Sequence, residues 1–278
     1  MTETTAATGG STPALVDLDA DHPGFHDLVY RARRNEIARL AMEHREGTTV
    51  PDVEYTGEEQ EVWRVVWRHL EPLHGQYACE AYLDASARVG LPRERIPQLR
   101  EVNAAIAPAH GFSMVPVAGL VTAGGFLKAL DRAVFLSTQY MRHHTVPLYT
   151  PEPDVVHELI GHAATFAHPR FAELNRAFGR AARLARTDAD IEAIGRVYWY
   201  TVEFGVLREE DRLKVYGAGL LSSFGELGRF ETEERLAEWD IDRMAATPYD
   251  PTNYQPVLFV APGFERLTSD LLQWLSRF

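Results

Sequence analysis

Residues 149–166 read YTPEPDVVHELIGHAATF, and this stretch combines a stiff turn, a helix start and two histidines. Pro151 and Pro153 prevent the segment 149–153 from forming a helix. Asp154 then stands where a helix N-cap is expected, because its side chain can accept a backbone N–H group. The residues after it are mostly apolar, so the sequence predicts a largely apolar helix that begins at this aspartate.

The two histidines of this helix, His157 and His162, lie five residues apart, one more than in the zinc-peptidase motif H-E-x-x-H. On an ideal α-helix, residues at this spacing point about 140° apart and do not share one face. They can bind one metal ion if the ion sits over the helix edge or if the helix loosens near Gly161. An isolated histidine among apolar residues is more often a hydrogen-bonded core residue, so the spacing alone leaves both interpretations open.

A lone carboxylate in residues 197–206 (VYWYTVEFGV) supplies a third candidate ligand. Glu203 is the single charged residue of these ten, and a buried carboxylate is costly unless a cation compensates it. That cation is either an arginine or a metal ion held by His157 and His162. Two histidines and one carboxylate leave coordination positions open on one face. This set favours non-haem Fe(II) that activates oxygen over tetrahedral zinc.

Further residues suit an aromatic ligand and a flat cofactor. An aromatic triplet at 198–200 precedes Glu203, and Arg142 offers a planar guanidinium that matches a carboxylate. The stretch 216–226 (YGAGLLSSFGE) combines glycines that allow close approach with two hydroxyl groups. Phe126, after two glycines, is either a core residue or a stacking partner for a flat cofactor. Glycine-rich phosphate loops are absent from the sequence, so a nucleotide cofactor is not expected.

The bulk composition limits the possible partners and compartment. The net charge of −12 repels phosphate backbones, so nucleic-acid binding is not expected. No apolar run approaches the roughly 20 residues that cross a bilayer, and the N-terminus does not resemble a signal peptide. The single cysteine, Cys79, permits no intrachain disulfide, which is typical of a reducing cytosol. We therefore expect a cytoplasmic protein that does not associate with membranes.

The hydrophobic pattern predicts a mainly α (α+β) fold, a single helical catalytic domain with a few short β-strands. Residues 1–14 are rich in Thr, Gly and Ala and are expected to form a flexible tail before a catalytic domain at 15–278. Helical periodicity and capping signals predict a helix over 31–45 and a second helix that begins after the capping box of Thr56 and Glu59. Three more helices are predicted over 75–89, 95–107 and 264–277. Strand signals are strongest at 133–142 and 256–260.

Taken together, these motifs resemble the pterin-dependent aromatic amino acid hydroxylases. The resemblance rests on TPEPD-x-x-HEL-x-GH, on YW-x-TVEFG and on YGAGLLSSFGE, and it covers nearly the whole chain after the tail. Shorter matching segments are LDADHPGF (18–25), VYRARR (29–34), RIPQL (95–99), PVAGL (116–120), TQYMRH (138–143) and YQPVLFVA (254–261).

The resemblance implies a role for each matched residue. His157, His162 and Glu203 match the iron ligands of the family. The residues that match its substrate pocket are Arg142, Thr150, Asp154, Trp199, Gly219 and Ser222, with Asp154 as the buried partner of Arg142. The residues that match positions near the pterin are Val117, Gly119, Val121, Phe126, Glu158 and Tyr198.

By the same resemblance, the cofactors are Fe(II) and tetrahydrobiopterin or a related tetrahydropterin, and O2 is a co-substrate. The partner is a free aromatic amino acid, and the chain is expected to be a monomer, as in the short bacterial members. Trp199 favours phenylalanine, converted to tyrosine, because tryptophan hydroxylases usually carry a smaller aromatic residue there. Hydroxylation of phenylalanine to meta-tyrosine and hydroxylation of tryptophan stay open as alternatives.

Two observations qualify this interpretation. Leu136 stands where many relatives carry a histidine near the pterin, which predicts different packing around the cofactor. A zinc hydrolase that reuses HELIGH, with Glu158 as the general base, is the alternative from another class. The five-residue spacing of its two histidines argues against that alternative.

Overall fold

The computed structural model describes residues 16, 18–45, 47–119, 121–232, 235–251 and 253–278. The predicted tail, residues 1–14, lies outside these residues, so its boundary with the catalytic domain stays a prediction. Within the described residues, helices dominate and the strands are short. This architecture confirms the predicted mainly α class.

The helices surround a buried segment that carries the two histidines. The α-helices are α1 (Leu28–Glu43), α2 (Gly57–Tyr77), α3 (Glu80–Val89), α4 (Leu99–His110), α5 (Ala123–Asp131), α6 (Pro169–Leu184), α7 (Asp188–Tyr198), α8 (Ala218–Leu221), α9 (Phe224–Leu227), α10 (Ile241–Ala246) and α11 (Phe264–Leu275). Two π-helices span His157–His162 and Trp199–Glu203, and a 3₁₀ helix spans Ala163–Ala167. The strands are β1 (Ser113–Pro116), β2 (Val134–Ser137), β3 (Val206–Glu209), β4 (Arg212–Val215), β5 (Leu236–Glu238) and β6 (Leu258–Ala261).

Local capping chemistry fixes several helix ends. The predicted capping box of Thr56 and Glu59 is present at the start of α2. The predicted helix 75–89 is wrong in one respect, because it is broken between α2 and α3. At the break, the backbone N–H of Cys79 donates to the carbonyl oxygen of Val215, so it leaves the helical pattern. Gly90 ends α3 with a φ of +61°, which favours glycine.

Two small sheets support the helices. β1 and β2 are parallel, and Ser113 pairs with Val134 at the start of the register. The predicted strand 133–142 is wrong beyond Ser137. In the described part of the chain, the backbone after that residue no longer bonds to a neighbouring strand. The N–H group of Thr138, for example, donates to the carboxylate of Glu158 on the first π-helix.

The second sheet has the strand order β4-β3-β6-β5. β3 begins directly after the second π-helix and pairs with β4 in antiparallel and with β6 in parallel orientation. The strand predicted at 256–260 is β6, shifted to Leu258–Ala261. This sheet therefore anchors the C-terminal end of the second π-helix.

The apolar core encloses the first π-helix. Val155, Val156, Leu159 and Ile160 on and before it are fully buried. Most of this helical segment is buried, and His157 is half-buried, so its buried polar side chains must find partners within the protein. Within the described residues, no helix combines the length and the apolar character needed to cross a membrane.

Candidate active site

The first π-helix brings together two histidines that an α-helix would separate. A π-helix bonds each carbonyl to the N–H five residues later, and here Glu158 O accepts from Ala163 N. The Nε2 atoms of His157 and His162 consequently lie 3.0 Å apart. Of the two arrangements that the sequence left open, the structure has the loosened helix, and the change of helical type spans the whole segment His157–His162.

Gly161 has a different role from the one expected. A Cβ atom at this position would lie 2.8 Å from the carbonyl oxygen of Ala218 and 3.0 Å from its Cβ. The glycine thus permits the close approach of α8 to the first π-helix. This contact brings the end of α8, and with it Ser222, beside the histidines.

Glu203 joins the histidines from the end of the second π-helix. Its carboxylate lies 3.0 Å from His162 Nε2 and 3.4 Å from His157 Nε2. Among the described residues, the basic side chains within 4 Å of the Glu203 carboxylate are these two histidines, and the alternative pairing with an arginine is not found. One potential ligand atom from each of the three residues falls within a 4.8 Å cluster.

The electrostatics of this cluster suit a cation. Burial lowers the pKa of His157 to about 4. For Glu203, burial by itself would raise the pKa, but the attraction of His162 and His157 outweighs it and leaves the pKa below its ordinary value. For His162, burial is outweighed by Glu203 and the pKa is raised. Two imidazole nitrogens and a carboxylate converge where a positive charge is needed.

Ser222 fixes the tautomer of His157. Its Oγ donates to the carbonyl oxygen of Ala218 at 2.7 Å, so it must accept the hydrogen from His157 Nδ1 at 3.0 Å. In neutral His157 the Nε2 atom then bears a lone pair directed toward Glu203. The donor set fits a metal ion such as Fe(II), and its geometry defines a candidate non-haem metal centre.

Arg142 is held beside the cluster by Asp154. Its Nε and Nη2 atoms donate to the two carboxylate oxygens of Asp154 at 2.9 and 2.8 Å, and both side chains are buried. Asp154 also accepts from the backbone N–H of His157 at 3.3 Å, which agrees with the predicted N-cap. One carboxylate therefore connects the arginine to the start of the helix that carries the histidines.

Aromatic rings cluster around the second π-helix, the segment that ends in Glu203. The indole of Trp199 stacks on Tyr249, with 4.2 Å between ring centroids, and lies 4.7 Å from the ring of Phe204. Its Nε1 donates to Gln255 Oε1 at 2.9 Å. A Cβ atom at Gly219 would lie 2.8 Å from Phe204, so the glycine is needed for this packing.

Three residues of this cluster, Phe204, Tyr249 and Gln255, were not among the predicted site residues. Phe204 could have been found because it directly follows Glu203. Tyr249 lies outside the quoted motifs, and Gln255 lies in the matching segment 254–261 without a role assigned to it; the folded chain brings both to Trp199. Thr150, by contrast, donates to the Glu152 carbonyl at 2.9 Å and shapes the turn before Asp154.

The residues predicted to lie near a pterin occupy different depths. Glu158 is buried, and its Oε1 accepts from the backbone N–H and the hydroxyl of Thr138 at 3.0 and 2.9 Å. Burial raises its pKa to about 7. Phe126 packs edge-on against Tyr198, whose buried hydroxyl lies 3.4 Å from Asn175 Oδ1. Glu158 thus lies on the first π-helix, and Tyr198 directly precedes the second one, which ends in Glu203.

The remaining predicted pterin positions lie in the connection between β1 and α5. Val117 and Gly119 are half-buried, and Val121 is exposed. Among the described hydrogen bonds, this connection makes none to His157, His162 and Glu203, the candidate metal-binding cluster. Its predicted role at a cofactor stays a prediction.

Comparisons with known proteins identify the family to which the chain belongs. A family model described as "Biopterin-dependent aromatic amino acid hydroxylase" matches residues 11–278. Tyrosine 3-monooxygenase of Mus musculus is 42% identical over 266 residues, covering 94% of this chain and 53% of that protein. Phenylalanine-4-hydroxylase of Rattus norvegicus is 43% identical over 253 residues, covering 89% of this chain and 56% of that protein.

A solved structure also shares the fold. The crystal structure of Chromobacterium violaceum phenylalanine hydroxylase, with bound iron(III) and 7,8-dihydrobiopterin, has a TM-score of 0.77 and 28% identity. The match covers 86% of this chain and 90% of that one. The chain belongs to the biopterin-dependent aromatic amino acid hydroxylases. It spans about half the length of the curated relatives it matches.

Proposed function

We propose that the chain is an iron(II)- and tetrahydropterin-dependent monooxygenase that converts free L-phenylalanine to L-tyrosine. The observation that carries the proposal is the convergence of His157, His162 and Glu203 within 4.8 Å beside the aromatic wall of Trp199. Family membership makes hydroxylation of an aromatic amino acid the expected reaction class. It also argues against the zinc-hydrolase alternative.

In this proposal, His157, His162 and Glu203 would hold iron(II). Bound iron and the reduced pterin supply oxygen activation and the two electrons that it requires. Ser222 orients His157 so that its Nε2 lone pair faces the metal position. Burial of the ligands excludes water from the reacting centre, which limits side reactions of an oxidant.

Arg142 binds the substrate carboxylate. Its Nε and Nη2 atoms are paired with Asp154, which leaves Nη1 outside that pair for a second carboxylate. Trp199 and Phe204 contact the substrate ring and direct it toward the metal. The arginine thus fixes one end of the amino acid while the aromatic wall fixes the other.

The pterin binds on the side of Glu158, between Phe126 and the connection that contains Val117, Gly119 and Val121. Phe126 offers a ring face for stacking, and Tyr198 supports Phe126 from behind. Leu136 is half-buried in β2 and pairs with Val115 of β1, so this part of the sheet offers an apolar side chain where many relatives carry a histidine.

Phenylalanine is preferred as substrate on two grounds. The described structural neighbours are bacterial phenylalanine hydroxylases with at least 90% of their length covered. Trp199 also narrows the pocket from one side and is itself covered by Tyr249. Tyrosine 3-monooxygenases are similarly close in sequence, so tyrosine, tryptophan and another ring position are the competing outcomes of the test.

The test is product identification. The protein is supplied with Fe(II), a tetrahydropterin and oxygen, and with phenylalanine, tyrosine or tryptophan in separate reactions. We expect para-tyrosine from phenylalanine, resolved by chromatography against ortho- and meta-tyrosine standards, with matching pterin oxidation. Glu203→Ala is expected to abolish the product, whereas Glu265→Ala, an exposed glutamate on α11, is the matched control. No hydroxylated product from any of the three amino acids would overturn the proposal.

A further inference from the structure

Two buried side chains outside the metal-binding cluster contact the elements that position it. Tyr82 on α3 and His74 on α2 pack edge to face, with 5.4 Å between ring centroids. Tyr82 is fully buried and His74 nearly so. Each side chain donates one hydrogen bond to a backbone carbonyl. The acceptor of Tyr82 lies on the first π-helix, and the acceptor of His74 lies at the end of α8.

Tyr82 donates to the first π-helix. Its hydroxyl lies 2.8 Å from the carbonyl oxygen of Ile160, between the two histidines in sequence. The π-helix ends at His162 and a 3₁₀ helix begins at Ala163, so the spacing of the backbone hydrogen bonds changes close to Ile160. A donor from another element can stabilise a carbonyl at such a junction. Without the hydroxyl, this carbonyl would lose a buried partner that water cannot replace.

His74 donates to the end of α8. Its Nε2 lies 2.7 Å from the carbonyl oxygen of Leu221, and a carbonyl can only accept, so Nε2 bears the hydrogen. Leu221 directly precedes Ser222, which accepts from Nδ1 of His157. His74 therefore fixes the backbone from which the orienting hydroxyl projects.

We propose that His74 and Tyr82 are a pair of positioning residues that maintain the metal-binding geometry of the first π-helix. Tyr82 stabilises the π-helical register, in which His157 and His162 share a face. His74 stabilises the placement of Ser222, which orients His157. If the segment relaxed to an α-helix, the two histidines would point about 140° apart and would no longer share the face on which they meet Glu203. The inference rests on the proposed metal site.

The experiment measures metal binding rather than turnover. Co(II) is titrated into the metal-free protein, and its dissociation constant and visible absorption spectrum are recorded beside the Tm of the metal-free protein. Tyr82→Phe removes only the hydroxyl. Tyr55→Phe is the matched control, because Tyr55 also donates to a backbone carbonyl, that of Gln139, at 2.9 Å. His74→Leu and His74→Gln form a second pair, since glutamine retains an N–H donor.

We expect Tyr82→Phe and His74→Leu each to weaken Co(II) binding about 10- to 100-fold and to change the spectrum. Tyr55→Phe and His74→Gln should bind Co(II) within about twofold of the original protein. A Tyr82→Phe protein with a lower Tm but unchanged Co(II) binding would overturn the inference. If Tyr82→Phe does not fold, equal binding by His74→Leu and His74→Gln would overturn it instead. Glu203→Ala tests the metal site separately from the positioning pair. If this variant binds Co(II) like the original protein, the proposed metal site is wrong, whatever the variants of His74 and Tyr82 show.

Discussion

Ser222 Oγ lies 3.0 Å from Nδ1 of His157 and donates its own hydrogen to the carbonyl oxygen of Ala218. The hydroxyl therefore acts as an acceptor toward the histidine, and the histidine presents an unprotonated Nε2 to the cluster. Partners of this kind orient metal-binding histidines and fix their tautomer. A residue that the sequence associated with the substrate pocket is thus placed to affect metal binding as well.

Replacing the hydroxyl tests this role. Ser222→Ala is expected to weaken metal binding about 10- to 100-fold, because His157 loses the group that orients its ring. The measurement is a Co(II) titration of the metal-free protein. Ser276→Ala removes an exposed serine hydroxyl that bonds the carbonyl of Gln273, and it should leave binding unchanged. Equal affinities for the two variants would contradict the assigned orientation of His157.

The contact between the first π-helix and α8 predicts a cost for any side chain at position 161. Gly161→Ala places a Cβ atom 2.8 Å from the carbonyl oxygen of Ala218, and it should lower the free energy of unfolding by about 1–3 kcal/mol. Gly195→Ala in α7 meets no atom within 4 Å. That control should gain about 0.5–1 kcal/mol. Denaturant titration compares the two, and a stabilised Gly161→Ala protein would show that α8 is free to move.

The buried pair of Arg142 and Asp154 predicts a large loss when one partner is removed. Asp154→Ala leaves the buried guanidinium of Arg142 without its carboxylate partner, and it should lower the free energy of unfolding by about 3–5 kcal/mol. The exposed pair of Arg100 and Asp52 is the control, and Asp52→Ala should cost at most about 1 kcal/mol. Urea denaturation of the metal-free proteins measures both values. A similar loss of unfolding free energy in the two variants would mean that Arg142 finds another hydrogen-bond acceptor when Asp154 is removed.

His74 predicts a pH dependence of stability. Burial lowers the pKa of His74 below its ordinary 6.5, and the bond to the Leu221 carbonyl offsets this only in part. Because the folded-state pKa is the lower one, the stabilisation is fully present above pH 6.5 and declines as the pH falls toward the folded-state value. His74→Gln should flatten this decline, measured by denaturant unfolding between pH 8 and pH 5.

A matched control separates His74 from general acid sensitivity. His69 lies on the same helix and is exposed, so His69→Gln should retain the decline of the original protein. If the His74→Gln and His69→Gln proteins lose stability in parallel as the pH falls, the burial of His74 does not determine this dependence.

Much of the fold could be predicted from local signals. The capping box at Thr56, the stop at Gly90 and the N-cap at Asp154 depend on groups a few residues apart, and all three are present. Errors arose where distant groups compete for the backbone. The predicted helix 75–89 breaks at Cys79 because its N–H bonds to Val215, a residue far along the chain.

The candidate site shows the same division. The sequence by itself indicated the candidate ligand types, because His157, His162 and Glu203 stand in apolar surroundings where a buried carboxylate needs a cation. It did not determine how histidines five residues apart share one ion. The tertiary structure decided that, since packing of Gly161 on Ala218 and donors from neighbouring helices accompany a π-helix that no local propensity predicts. Helical register here depends on contacts between elements, and such contacts exist only in the folded chain.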